Sequence, residues 1–252
     1  MQIKSIKKKK NTYLVLIDET SYEIEESVLL DFRLKKMMIL DEKMLDEIMK
    51  KNHKAFLIRK GIAYVVKNRS IRDFKKYLRT LTNDENLVTE ITLDFKGKNY
   101  LNDYIYAESY LRINQSKYGK HKLQQGLIEK GITKELIDQM LQSLTEDTLE
   151  EQLKKDAQTI KKETYLKAKQ TLLRRYLQKG YDEVRILSYI ETYLDQSRFD
   201  ETVSIEKYYK QALTKYQKRF DGHELNQKIY LYLRQKGYHP RHIKDILEKR
   251  EW

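Results

Sequence analysis

Two histidines near the C-terminus have the residue type and spacing that could bind a metal. His239 and His242 stand three positions apart, so on a helix their imidazoles share one face. A zinc site needs at least a third protein ligand, and the sequence offers no third ligand at a matching spacing from this pair. The other histidines, His53, His121 and His223, are isolated, and the chain contains no HExxH motif. We therefore predict no metal site.

No other reactive arrangement has motif support. The eight glycines are scattered, and the chain has neither a P-loop nor a GxGxxG sequence to hold a phosphate. The absence of cysteine excludes disulfides and thiolate ligands and is typical of a reducing cytoplasm. We predict a protein without cofactor or enzymatic activity. An enzyme whose catalytic groups meet only in space remains an alternative.

The charge balance indicates binding. The 252 residues include 51 Lys and Arg against 38 Asp and Glu, a net charge of +13. Such an excess favours an anionic partner, first of all nucleic acid, although an unpartnered, solvated basic surface is the alternative. The apolar run TYLVLI is too short for a signal sequence, and no stretch approaches the length of a membrane span. We expect a cytoplasmic protein.

One sequence pattern recurs three times, as LIEKGITKELIDQML, YLQKGYDEVRILSYI and LYLRQKGYHPRHIKDIL. The shared glycines are Gly131, Gly180 and Gly237. Glycine just past a helix readily takes the left-handed conformation, and the lysine before it meets the negative end of the helix dipole. The positions predicted to cap the next helix are Thr133, Asp182 and His239. Pro240 follows the last of these, at a first helical position that tolerates proline. The pattern predicts a Lys-Gly joint between two helices.

The helix after each joint carries an apolar stripe that should be buried. The stripe residues are Leu136, Ile137, Met140, Leu141 and Leu144 in the first copy, Val184, Leu187, Ile190 and Leu194 in the second, and Ile243, Ile246 and Leu247 in the third.

The spacing of the joints predicts repeated three-helix units. The glycines lie 49 and then 57 positions apart, which leaves room for one more helix in each unit. We predict four units, at residues 53–96, 101–146, 148–198 and 201–250, the first of them without the joint. Stacked units of this kind form an elongated, curved body, whereas one irregular helical globule is the alternative.

The first 50 residues follow a different pattern. Tyr13, Val15 and Ile17 alternate with their neighbours, as do Tyr22 and Ile24, and the run Glu-Thr-Ser lies between the two segments. This alternation predicts a β-hairpin. A helical pattern begins at residue 41. The fold class is therefore mainly α, with tandem three-helix repeats after a small N-terminal module of hairpin and helix at residues 1–50.

Basic residues concentrate on the middle helix of each unit. In the second and third units the third helix is instead rich in acidic residues. The predicted partner-binding or DNA-binding residues are Arg69, Arg72, Lys75, Lys76, Arg79, Lys117, Lys120, Lys122, Lys167, Lys169, Arg174, Arg175, Lys179, Lys228, Arg234 and Lys236. If the middle helices line one flank, these cations form a stripe that can follow a phosphate backbone. Ordinary solvated faces with pairs inside each helix are the alternative.

Some of the 20 tyrosines stand beside basic residues. They include Tyr77, Tyr118, Tyr176 and Tyr232. Aromatic rings so placed can stack on nucleic-acid bases, but core positions at helical spacing are the preferred interpretation.

Several short motifs occur in a characteristic order along the chain. They are Arg69-Ser70 with Arg72 and Leu78; Leu101, Asp103, Ala107 and Tyr110; Gly119, Leu123 and Leu127 with Lys130-Gly131-Ile132; and, after the hairpin, Leu40-Asp41-Glu42. In this order and spacing the chain resembles the RecX family of bacterial RecA modulators, in its longer Gram-positive type. The sequence departs from the family pattern around Asp103 and at Lys120, where a proline is usual, and the first unit lacks Lys-Gly.

The resemblance implies a non-enzymatic regulator of the RecA recombinase, active in homologous recombination, DNA repair and the SOS response. Such a protein lies in the groove of the RecA–single-stranded DNA filament, inhibits ATP hydrolysis and strand exchange, and promotes disassembly. The implied partners are the RecA filament and single-stranded DNA, with double-stranded DNA as a further candidate, and we expect a monomer. A general nucleic-acid-binding scaffold without a recombinase partner is the alternative function.

Overall fold

The computed structural model describes residues 1–144, 148–162 and 164–249. Two of the predicted units, 101–146 and 201–250, end just outside these ranges. The chain divides into two compact units, Met1–Ser109 with Ile128–Leu136, and Tyr110–Leu127 with the residues from Ile137 onward.

A small antiparallel sheet begins the chain. Its strands are β1 (Ile3–Lys8), β2 (Thr12–Ile17) and β3 (Thr20–Glu25), in the order β1-β2-β3, followed by helix α1 (Glu26–Asp31). The predicted hairpin is β2 and β3, whose register runs from Thr12 opposite Glu25 to Ile17 opposite Thr20. Val15 and Ile24 are fully buried in the local core.

Strand β1 was not predicted from the sequence. Its apolar residues, Ile3 and Ile6, are three positions apart instead of two. The register shifts between Ile3 and Ser5, so Ile3 pairs with Ile17 and Ile6 pairs with Val15. A bulge of this kind inserts one residue and brings both isoleucines to the same face, which hides the period of two in the sequence.

The following helix, α2 (Glu42–Val65), runs without a break through residue 50, where the sequence suggested a boundary. The Asp41 carboxylate accepts a hydrogen bond from the Met44 amide and caps its start. Ile48 packs in the core of the N-terminal sheet, whereas Leu57 packs in the next core along the chain. One helix therefore belongs to the N-terminal module and to the first repeat.

A partly buried ion pair joins the sheet to the second half of α2. Arg59 donates three hydrogen bonds to the Glu25 carboxylate at 2.8–3.0 Å, and the Glu25 side chain is only 8% exposed. Beside it the Glu25 amide donates to the side-chain oxygen of Asn52 (2.7 Å). Helix α2 is thereby fixed against strand β3.

Helices in groups of three account for the rest of the described chain. The first repeat consists of α2, α3 (Ile71–Leu78) and α4 (Glu85–Gly97), and the second of α5 (Asp103–Asn114), α6 (Lys120–Glu129) and α7 (Lys134–Gln142). The third comprises α8 (Leu149–Thr159), α9 (Tyr165–Gln178) and α10 (Glu183–Tyr193), and the fourth α11 (Glu201–Tyr216), α12 (Gly222–Gln235) and α13 (Pro240–Glu248). A 3₁₀ turn (Gln196–Arg198) precedes the fourth. The predicted fold class, tandem three-helix repeats after a small N-terminal β module, is confirmed.

Each apolar cluster is local. Phe74, Val88 and Phe95 belong to the core of the first repeat, and separate clusters fill the third and fourth repeats. The predicted stripes are buried at Ile137, Ile190 and other positions, with one correction: Val184 is 75% exposed. Helix α10 begins at Glu183 and turns Val184 to solvent in its first turn, so Ile186, which is fully buried, contributes to the core instead.

Candidate partner-binding surface on the middle helices

The Lys-Gly joints adopt the predicted conformation. Gly131, Gly180 and Gly237 have φ values of +79°, +83° and +95°. After the second joint the Asp182 carboxylate accepts a hydrogen bond from the Arg185 amide, and after the third the His239 ring accepts one from the Arg241 amide. The joints therefore separate helices as the sequence predicted.

The surface against which the joints dock could not be predicted from the sequence. Each joint lies against the start of the middle helix of the preceding repeat, and we call each such contact a repeat junction. In the first junction the Arg72 guanidinium donates to the carbonyls of Ile128 (3.4 Å) and Glu129 (3.3 Å). A Cβ atom on Gly131 would lie 2.7 Å from the Arg72 Cδ, so the glycine lets the arginine stem pass close by. The ammonium of Lys130 forms an ion pair with Asp73 at 2.9 Å.

The second junction repeats this arrangement with backbone groups. The amide of Gly119 donates to the Lys179 carbonyl (2.9 Å), and that of His121 donates to the Gly180 carbonyl (3.3 Å). A Cβ atom on Gly180 would lie 2.6 Å from the Cβ of Lys122. From the first helix of the third repeat, Gln152 donates to the Ser116 carbonyl (2.7 Å) and braces the same segment.

The third junction is built in the same way. The Thr164 hydroxyl caps α9 by accepting from the Lys167 amide, and it donates to the Lys236 carbonyl (3.3 Å). A Cβ atom on Gly237 would lie 3.2 Å from the Lys167 Cβ. The amide of Tyr165 donates to the carboxylate of Glu201, from the first helix of the fourth repeat (3.3 Å).

These contacts have a common electrostatic basis. The carbonyls at a helix C-terminus carry partial negative charge, and the amides at a helix N-terminus carry partial positive charge. Each junction brings the two ends together. In the second, main-chain amides satisfy the carbonyls of the joint, whereas in the first and third those carbonyls accept from the Arg72 guanidinium and the Thr164 hydroxyl. One cation of the preceding middle helix lies beside each glycine. These cations are Arg72, Lys122 and Lys167.

A carboxylate supports the first junction as well. Asp103, at the start of α5, accepts a hydrogen bond from the Ile71 amide at 2.9 Å, while the Ser70 hydroxyl caps α3 by accepting from the Asp73 amide. Burial raises the pKa of Asp103, and the hydrogen bond from Ile71 only partly offsets that effect. The motif residue Asp103 thus joins two repeats.

Several predicted cations have partners inside the protein. Arg79 binds Glu85 through two hydrogen bonds (2.8 and 2.9 Å), and this contact, with a smaller contribution from Lys75, lowers the pKa of Glu85. Lys169 pairs with Glu191 at 3.2 Å, and Arg175 pairs with Asp156 at 2.6 Å. These side chains stabilise the repeats that carry them.

Other predicted cations contact aromatic rings, carbonyl oxygens or a side-chain amide. The Arg69 guanidinium lies 4.7 Å from the Tyr64 ring centre, and its buried Nε has no hydrogen-bond partner among the described residues. The Lys179 ammonium donates to Gln152 at 2.7 Å, and burial lowers its pKa. The remaining contacts of this kind join Lys228 to the Phe220 ring, Arg234 to the Tyr238 carbonyl, and Lys236 to the rings of Tyr208 and Tyr232.

A third group of predicted cations is uncommitted. Within residues 1–144, 148–162 and 164–249, their side chains form no ion pair or hydrogen bond. They are Lys76, Lys117, Lys120, Lys122, Lys167 and Arg174. All are exposed except Lys167, which is half-buried beside Gly237. These six residues are the candidate binding surface. Their alignment along one flank of the repeats stays a prediction.

The tyrosine candidates divide in a similar way. Tyr176 is fully buried and its hydroxyl donates to Asp156 at 3.0 Å, so it has no face for a base; burial raises its pKa above the usual range. Tyr77 stacks on Tyr64 with ring centres 4.1 Å apart. Tyr118 and Tyr232 are half-buried.

The two C-terminal histidines have separate partners. His239 caps α13, and His242 lies 3.7 Å from the Glu201 carboxylate. In the described part of the chain, no three His, Asp or Glu side chains cluster as a metal site would require. No helix in that part is both long and apolar enough to cross a bilayer.

Comparison with known proteins adds independent information. Residues 102–141, which span the second repeat, match the family model of the second three-helix domain of RecX. The chain is 30% identical over 267 residues to the regulatory protein RecX of Listeria innocua, covering 100% of this chain and 97% of that protein. It is 28% identical over 260 residues to that of Streptococcus agalactiae, with 99% of both chains covered.

A solved structure is similar as well. The crystal structure of a regulatory protein RecX matches with a TM-score of 0.52 and 28% identity, covering 80% of this chain and 96% of that one. The similarity therefore extends over nearly the whole length of both the curated relatives and the solved structure.

Proposed function

Because the chain belongs to the RecX family of regulatory proteins, we propose that it regulates a RecA recombinase by binding the recombinase–single-stranded DNA filament. The observation that carries this proposal is the match to regulatory proteins RecX along almost the entire chain. The proposed effects are inhibition of ATP hydrolysis and strand exchange, and disassembly of the filament. The protein acts in the cytoplasm, as a monomer, without cofactor or catalytic residue.

The repeat junctions support this function. A filament presents the same surface at regular intervals, and a chain of similar units can contact several of them. Each contact adds to the total affinity through effective concentration, although a single one is weak. Lys122 and Lys167 occupy equivalent places at successive junctions, so similar charges recur from one repeat to the next.

Regulation requires only that binding differs between states of the filament. A protein that binds an inactive filament more tightly than the active one shifts the population toward the inactive state by that difference in affinity. No chemistry at the bound protein is needed. The uncommitted cations supply contacts to phosphate or to acidic protein groups in that state.

An ATPase titration tests the proposal. We expect the purified protein to slow DNA-dependent ATP hydrolysis by its cognate recombinase at ratios from sub-stoichiometric to equal. The triple variant Lys120→Glu, Lys122→Glu, Arg174→Glu should require about tenfold more protein for the same inhibition, since charge reversal at exposed contacts weakens association. An ATPase rate that stays constant over the whole titration would refute the function.

A matched control carries the same change in net charge. Lys155, Lys244 and Lys249 lie on α8, on α13 and just after α13, and all three are exposed. Reversing them to Glu should leave the inhibition close to that of the wild type. Equal losses in the two variants would show that net charge alone, and not the middle helices, governs binding.

The general nucleic-acid scaffold is the second candidate, favoured by the net charge of +13. It predicts that naked single-stranded DNA is bound as tightly as DNA coated with recombinase. It also predicts a steep salt dependence, with a slope of roughly 0.7 for each phosphate neutralised. The regulator instead binds the coated DNA more tightly, and competition between the two DNA forms distinguishes them.

A further inference from the structure

The second compact unit contains a basic pocket whose cations are not among the predicted binding residues. It is formed by the segment after α8, the 3₁₀ turn before α11, and α11 itself, and its volume is about 540 Å³. Pockets of 300–1,000 Å³ are typical for small ligands. Four cations line it: Lys161, Lys162, Arg198 and Lys207.

These cations retain capacity for an anion. Lys161 and Lys162 are exposed, and their side chains form no ion pair or hydrogen bond within the described ranges. Arg198 uses one N–H group, which donates to the Ala157 carbonyl at 2.8 Å, and a guanidinium has five. The ammonium of Lys207 lies over the Tyr208 ring, 5.8 Å from its centre.

Among the pocket residues that the structure describes, Asp200 is the one carboxylate, and it is already engaged. Asp200 accepts hydrogen bonds from the amide (3.1 Å) and the hydroxyl (2.7 Å) of Thr202 at the start of α11. The described lining therefore has an excess of three positive charges over this one acid, which favours a ligand with phosphate groups.

Aromatic side chains form part of the same wall. Phe199 packs against the core of the third repeat, with its ring centre 6.1 Å from that of Tyr165 in an edge-on arrangement. Phe199 and Tyr208 are half-buried, so each leaves part of its ring accessible. A phosphate-binding group beside an aromatic ring suits a nucleotide, because the ring can stack on the base.

We propose that this pocket binds one nucleotide unit of single-stranded nucleic acid, with the phosphate between Lys161, Lys162 and Lys207 and the base against Phe199. The inference rests on the proposed function, since it specifies where the chain contacts the DNA of the filament. An acidic peptide fits the charge but makes no use of the half-buried aromatic ring.

Fluorescence anisotropy with a labelled oligothymidylate tests the pocket directly. A triple variant with the three lysines changed to glutamine should bind about tenfold more weakly and show a flatter dependence of log affinity on log salt concentration. Its substitutions are Lys161→Gln, Lys162→Gln and Lys207→Gln. Phe199→Leu keeps an apolar side chain for the core and should weaken binding roughly fivefold. It should leave binding of an abasic oligonucleotide of equal length unchanged, because that ligand has no base to stack.

The control variant is Lys155→Gln, Lys244→Gln, Lys249→Gln, which should bind like the wild type. Wild-type affinity in the pocket triple variant would overturn the proposal. So would equal effects of Phe199→Leu on the thymidylate and abasic oligonucleotides. Displacement of the oligonucleotide by polyglutamate or by free thymidine monophosphate at similar concentrations would assign the pocket to an acidic peptide or a free nucleotide instead.

The recombinase ATPase assay on the same variants separates this inference from the proposed function. A wild-type protein that binds the oligonucleotide through the pocket but does not change the ATPase would refute the proposed function alone. Pocket variants that bind the oligonucleotide normally while wild-type protein inhibits the ATPase would refute the pocket alone.

Discussion

Replacing Gly180 with alanine tests the second repeat junction. The backbone at Gly180 has φ of +83°, which costs a non-glycine residue about 1–2 kcal/mol. The added Cβ would also lie 2.6 Å from the Cβ and 3.0 Å from the Cα of Lys122. Because these are atoms of a helix and not the end of a flexible side chain, the joint has to move away from α6.

That movement breaks the two hydrogen bonds of the junction, Gly119 to the Lys179 carbonyl and His121 to the Gly180 carbonyl. Each contributes about 1 kcal/mol. Together with the backbone strain, the free energy of unfolding should fall by about 3–4 kcal/mol. Urea denaturation followed by far-UV circular dichroism measures this value.

Two other glycines supply matched controls. Gly222 also has positive φ (+44°), but a Cβ there would meet no atom within 4 Å, so Gly222→Ala should cost only about 1 kcal/mol. Gly97 lies in α4 without positive φ and with equally open space, and Gly97→Ala should stabilise the protein by up to about 1 kcal/mol. If Gly180→Ala costs no more than Gly222→Ala, the joint does not dock on α6 and the reasoning fails.

The remaining predictions concern three other contacts. Asp103→Ala should lower the free energy of unfolding by about 1–2 kcal/mol, because the Ile71 amide loses its hydrogen-bond acceptor. Because folding raises the pKa of Asp103, its carboxyl group stabilises the fold more as the pH falls. The wild type should therefore gain stability relative to Asp103→Asn between pH 7 and pH 4. Urea titrations at these two pH values check the sign. Glu25→Gln should cost about 1–3 kcal/mol by weakening the partly buried pair with Arg59. Faster hydrogen exchange in β3 would report this loss, whereas unchanged exchange would contradict it. Gly126→Ala should cost about 1–2 kcal/mol because the new Cβ overlaps the Tyr110 hydroxyl, and adding Tyr110→Phe should recover part of the loss in a double-mutant cycle.

Much of the local structure could be predicted because its determinants lie within a few residues. Gly131, Gly180 and Gly237 terminate helices through their own backbone freedom, and Asp182 caps α10 through an amide three positions away. The alternation in β2 and β3 likewise reflects the pleat of a hairpin whose strands are adjacent in the chain. Strand β1 was not predicted, because a bulge changes the period of its apolar residues.

The candidate surface was only partly predictable. The sequence identifies every cation but not its partner, and an ion pair removes a side chain from the set that can bind a ligand. Arg175 and Arg174 are adjacent and look equivalent, yet Asp156 pairs with Arg175 while Arg174 is uncommitted. The basic pocket was missed because its lysines lie outside the middle helices, on two segments about 45 positions apart that meet only on folding.

The amino-acid sequence by itself therefore determined the repeated helix pairs, their joints and the positive charge, since helix caps, periodicity and composition depend on neighbouring residues. Tertiary structure alone decided that each joint docks on the preceding middle helix, and which cations remain accessible. The contacts that decide these points, such as Gly119 with Lys179 or Thr164 with Lys236, join groups 60 and 72 positions apart. Such pairs form only when the repeats pack, because local spacing carries no information about a partner so distant along the chain.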